Sequence, residues 1–83
     1  MSRVRKSVAE IEALLLEDVR AQRHCSEVAD IVIEICEPEE ETHGANWSVV
    51  SVDPGGASRE FAGAAVMVAM GRLQQEVDAI APE

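Results

Sequence analysis

Trp47 and Phe61 are the only aromatic residues among 83, so any core this chain builds must come from Val, Ile, Leu and Ala, which fill space only by close interdigitation. A chain this short folds as one domain, residues 1–83, and buries only about 60–65% of the surface its unfolded form exposes. That core is thin, and a metal, a disulfide or a second subunit is expected to supplement it. Apolar residues make up 47% of the chain and recur periodically, which excludes a disordered polymer.

From Val4 to about Gln22, the residues Val4, Val8, Ile11, Leu15 and Val19 follow three- and four-residue steps, the signature of one helix face. Ser2 or Ser7 caps this helix, and Glu10 stands three residues after Ser7 in capping-box spacing. A β-branched run with Ile31, Ile33 and Ile35 on alternate positions predicts a strand over 28–37, which Pro38 ends because proline has no ladder N–H. A polar loop of glutamates leads to a second strand, from Asn46 to Asp53. In it, Trp47, Val49 and Ser51 are expected on one side and Val50 and Val52 on the other, with Asp53-Pro54-Gly55-Gly56 closing the turn. Ser58 caps a second helix whose apolar residues Ala62, Val66, Ala69, Met70, Leu73, Val77 and Ile80 run to the end of the pattern. The fold class read from this order is α+β, a two-layer helix-strand-strand-helix (αββα) arrangement with an antiparallel hairpin packed on two helices.

The net charge of −9 is unevenly laid out: residues 24–58 carry eight acids and no Lys or Arg, which makes the hairpin the acidic pole. Glu27, Asp30, Glu34, Glu37, Glu39, Glu40 and Glu41 form that pole. Such a surface repels phosphate backbones, so no nucleic acid is expected as a partner unless Arg3, Arg5, Lys6, Arg20 and Arg23 gather into a separate patch. The basic start is interrupted by Glu10 and Glu12 before any signal-peptide core, and the longest charge-free apolar run, Phe61 to Gly71, has eleven residues against the about 20 of a membrane helix. A cytoplasmic protein without membrane association is the expectation.

His24, Cys25, Cys36 and His43 are the soft metal ligands of the chain, but ten residues separate the cysteines where a zinc knuckle has about two to four. No metal and no cofactor are expected. A Cys25–Cys36 disulfide is opposed by the extended chain between them and by a reducing compartment. Adjacent His24 and Cys25 lack an orienting group, so no catalytic residues are assigned. Asp53 to Ser58 lies between strand and helix but lacks the Lys-Ser/Thr ending of a phosphate loop, and the glutamate run lacks the spacing of a calcium loop.

Gly44-Ala45-Asn46-Trp47 opening a strand, the turn at Asp53 to Gly56, and an Ala-rich helix ending in Leu73-Gln74 resemble a stretch of small uncharacterised proteins of alphaproteobacteria, rhizobia especially. The resemblance covers residues 44–80 and implies a bacterial source and a strand-helix unit, with no activity attached.

The second helix is apolar on two sides, and Phe61, Ala65 and Val68 are expected to form the interface of a homodimer. The chain is therefore read as a small acidic interaction or structural protein that self-associates and binds a protein partner, not as an enzyme. An acidic inhibitor that mimics nucleic acid is the alternative, and a metal-dependent or thiol enzyme a third.

Overall fold

The computed structural model describes residues 3–80. Their order is β1 (Val4–Ser7), α1 (Val8–Ala21), β2 (Asp30–Ile35), β3 (Trp47–Asp53), α2 (Arg59–Gln74) and β4 (Val77–Ile80). The class is α+β, with two helices and four strands in two small sheets.

Two elements differ from the expected helix-strand-strand-helix order. The first helix begins at Val8, not Val4, and the second ends at Gln74, not Ile80. Val4–Ser7 and Val77–Ile80 are instead strands that pair in parallel, with Val4 opposite Val77 and Ser7 opposite Ile80. Ser7 is the point of change: its backbone is extended, and its Oγ accepts the Glu10 N–H at 3.2 Å and donates to the Glu10 carboxylate at 3.3 Å. That is an N-cap at Ser7, so the chain upstream of it lies outside the helix.

The hairpin is antiparallel, with Ile31 opposite Val52, Ile33 opposite Val49 and Ile35 opposite Trp47. Between Val32 and Ile33 the register slips by one, leaving Val50 as an extra residue on β3. This bulge reverses the alternation beyond it. Trp47 and Val49 face the core as expected, but so does Val52, while Ser51 is exposed.

Helix α1 lies over β2 and α2 over β3, and the two helices pack on each other. Ile11, Leu15 and Val19 from α1 meet Ala62, Ala65, Val66 and Ala69 from α2 above Ile31, Ile33, Trp47, Val77 and Ala79. The four small or β-branched residues of α2 allow close approach, while the volume comes from the aliphatic side chains of α1 and from one indole.

The two sheets are joined by side chains. Asn46 imitates a strand, accepting the Ala79 N–H at 2.7 Å and donating to the Ala79 carbonyl at 2.9 Å. Trp47 Nε1 donates to the Val77 carbonyl at 2.9 Å, and buried Gln74 donates to the Trp47 carbonyl at 2.8 Å. Trp47 is fully buried as expected, in one cluster with the α2 residues Ala62, Ala65, Val66 and Ala69, and its hydrogen bond is to β4. Arg3 completes this corner, donating to the carbonyls of Gln74, Gln75 and Val77 and facing Asp78 at 3.0 Å. A guanidinium there satisfies the orphan carbonyls at the end of α2.

Gly63 lies in the interior of α2, with no atom within 4 Å of the position a Cβ would take. Gly63→Ala should therefore stabilise the chain by about 0.5–1 kcal/mol, because glycine loses more backbone freedom on folding. Thermal melting followed by circular dichroism should show a rise of several degrees; an unchanged or lower midpoint would mean that this position is contacted in solution.

Candidate functional site

The helix α2 presents one face to the core and an unusual one to the outside. Along the outer face stand Phe61, Ala64, Met67 and Val68, with Gly71 at its end. Phe61 is 52% exposed, Met67 69% and Val68 50%, which are large values for apolar side chains on a helix. From Phe61 to Gly71 there is no ionisable residue; Arg59 and Glu60 precede the run and Arg72 follows it. Each end carries a histidine: the His24 ring lies 4.9 Å from the Phe61 ring, and the His43 Nε2 would stand 3.9 Å from a Cβ at Gly71.

Of the three residues expected at an interface, the structure brings Phe61 and Val68 onto this face and removes Ala65. Ala65 is only 4% exposed, and its carbonyl accepts from Gln22 Nε2 at 3.0 Å where the end of α1 crosses α2. The stripe 61-65-68 is a valid helical spacing, but position 65 lies at the border of two faces and the core has claimed it. Ala64 and Met67, which the sequence reading passed over, take its place on the outside. Their signal was present in the patterns 61-64-68-71 and 64-67-71, which obey the same three- and four-residue steps.

The seven acids of the hairpin region, Glu27, Asp30, Glu34, Glu37, Glu39, Glu40 and Glu41, are all exposed, and none forms an ion pair among the described residues. Asp30 stands directly opposite Asp53 in the ladder, a like-charge pair. Strand β2 has β3 on one side only, and carboxylates occupy N–H groups of that strand: Glu12 of α1 accepts from Ile33 at 3.0 Å and Asp30 from Ile31 at 2.9 Å. These contacts and the surrounding charge block β2 as an edge for further pairing.

Three of the five basic residues of the N-terminal third are engaged within the fold. Arg3 holds the end of α2, Arg20 Nε donates to the Val28 carbonyl at 2.9 Å, and Lys6 lies 3.9 Å from Glu10.

The soft ligands are likewise dispersed. Cys25 is buried before β2 and its thiol donates to the Phe61 carbonyl at 3.4 Å, whereas Cys36 follows the far end of that strand; both are free thiols. No group of three or more His, Cys, Asp or Glu side chains converges as a metal site among the described residues. Burial raises the pKa of the Cys36 thiol, and the nearby Glu39 and Glu37 raise it further, the reverse of what an attacking thiolate needs. A polar cleft of about 350 Å³, lined by Arg5, Asn46, Asp78 and Ile80 among others, contains neither histidine nor cysteine. No helix of the described residues is long and apolar enough to cross a membrane.

No family model, curated protein or solved structure matches this chain. The outer face of α2 is thus characterised by its own residues, which are uncharged and apolar from Phe61 to Gly71.

Proposed function

We propose that this chain is a small acidic interaction protein that self-associates through the outer face of α2, with no catalytic step of its own. The observation that carries the reading is the uncharged run Phe61 to Gly71 on a molecule of net charge −9. Two such molecules repel, and contact through β2 would set Asp30 and Glu34 near their own symmetry mates. The face of α2 brings two copies together without opposing carboxylates along eleven residues, and it removes from water three exposed apolar side chains, Phe61, Met67 and Val68. A twofold arrangement is the commonest for a soluble homo-oligomer. One helix face is a small interface, at the weak and transient end of the size range.

Light scattering at micromolar concentrations should give twice the chain mass of 9.0 kDa. Added salt should raise the dimer fraction, because it screens repulsion without weakening apolar contact. Phe61→Glu or Val68→Glu should return the mass to one chain while the circular dichroism stays that of the folded protein, since both positions are exposed. A wild-type protein that stays monomeric throughout this range would overturn the reading.

The seven unpaired, exposed acids favour a second reading, an acidic surface that binds a basic protein in place of nucleic acid. Its mark is opposite in sign: capture of a basic partner that weakens steeply with salt.

A further inference from the structure

The two ends of the uncharged run differ, and this decides how two copies of α2 can meet. The run from Phe61 to Gly71 has its midpoint at Val66, so two antiparallel runs overlap fully only when the dyad crosses at that level. Resting on the self-association proposed above, we infer that the two α2 helices of the dimer lie antiparallel about Val66, with Phe61 level with the partner's Gly71 and Ala64 level with the partner's Val68.

Size and charge both select this arrangement. The bulkiest side chain on the face lies level with the residue that has none, where the nearest atom to a missing Cβ is His43 Nε2 at 3.9 Å. The His43 ring then forms one wall of a shallow seat for the incoming phenyl ring. Ala64 against the partner's Val68 repeats the small-to-large match, which lets two helix backbones approach without a void. At each end of the contact, the Arg59-Glu60 turn of one helix meets the Arg72 turn of the other, and Glu60 comes within reach of an opposite charge. Arg72 is bound only loosely at home, 3.4 Å from Asp18 with its side chain 63% exposed.

A parallel pair does the reverse. It stacks Phe61 on its own mate, opposes Glu60 to Glu60 and Arg72 to Arg72, and aligns the two helix dipoles, each of which costs free energy.

Cysteine cross-linking distinguishes the two. In a Cys36→Ser background, with buried Cys25 left in place, Glu60→Cys and Arg72→Cys are made separately. Both positions lie outside the apolar run and are exposed, so each variant should fold and keep the apolar contact while losing one member of the Glu60–Arg72 pair, and light scattering should show that it still dimerises. In the antiparallel dimer a residue at 60 stands about 18 Å along the axis from its own mate but level with the partner's residue 72. A short bismaleimide should therefore link the mixture of the two variants into a mixed dimer and leave each variant alone largely unlinked. Efficient linking of each variant with itself, in a protein that light scattering shows to be dimeric, would overturn the antiparallel arrangement and leave the self-association standing. A monomer by light scattering with no linked product in any sample would overturn both.

Discussion

Trp47→Ala should unfold most of the population at physiological temperature. The indole is fully buried, is the largest side chain of the core, and donates from Nε1 to the Val77 carbonyl that lies between the two sheets. Truncating a buried aromatic costs about 3–5 kcal/mol. At about 0.05–0.15 kcal/mol per residue, 83 residues hold a total of about 4–12 kcal/mol, and so thin an aliphatic core belongs at the lower end, where the loss is of the order of the whole. Trp47→Phe separates the two contributions, since it keeps most of the ring and removes the donor; Arg3 still donates to the Val77 carbonyl, so the lost hydrogen bond should cost about 0.5–1.5 kcal/mol. Urea denaturation followed by circular dichroism gives both numbers. An alanine variant melting within a degree or two of wild type would show that the indole does not hold β4 in place.

Gly55→Ala should be nearly as damaging although the residue is exposed and lies in a turn. Its φ is +57°, and a Cβ there would stand 2.2 Å from the Glu27 carbonyl oxygen and 3.3 Å from Ala29. The left-handed conformation alone costs an alanine about 1–2 kcal/mol, and a backbone clash of that depth forces the turn away from the chain that leads into β2. A total above about 3 kcal/mol is expected. Gly44 is the control: its φ is +80°, but nothing lies within 4 Å of its missing Cβ, so Gly44→Ala should show the conformational cost alone. Equal losses at the two positions would mean that the Glu27 contact relaxes freely.

The contrast between these glycines shows how the reading of the sequence divides. Asp53-Pro54-Gly55-Gly56 announced a turn by composition, and the Asp53 carboxylate does accept the Gly55 N–H at 3.0 Å. That Gly55 touches Glu27, twenty-eight positions earlier, is a property of the folded chain and has no local signature. The same holds for Ala65. Its spacing from Phe61 and Val68 is the spacing of an exposed stripe, and only the crossing of α1 places it inside.

Local chemistry was sufficient for some boundaries and not for others. Ser58 starts α2 by accepting the Glu60 N–H, and Ser7, one of the two expected caps, starts α1 at Val8, four residues after the expected Val4. The alternating isoleucines give a strand, Asp30–Ile35, that is two residues shorter at each end than 28–37 and whose antiparallel partner comes next in the chain. The candidate surface was legible to the same extent: Phe61 and Val68 lie on the uncharged outer face of a helix, and the seven acids lie on the outside of the hairpin region.

The amino-acid sequence by itself determined two helices, a central antiparallel hairpin, an aliphatic core anchored on one tryptophan, and a charge layout that leaves α2 as the uncharged exterior. Tertiary structure alone decided the parallel pair and the bulge. Val4 continues the spacing of α1 and Val77 and Ile80 continue that of α2, so the periodic pattern reads as helix on both sides; each four-residue segment becomes a strand because the other, more than seventy positions away, supplies its hydrogen bonds. The extra residue at Val50 likewise answers to β2, not to its own neighbours, and it turns Val52 inward to meet Ile31. Helical period is a local property that a chain carries with it, whereas the extended state of a short strand is stabilised only by the partner that the completed fold brings to it.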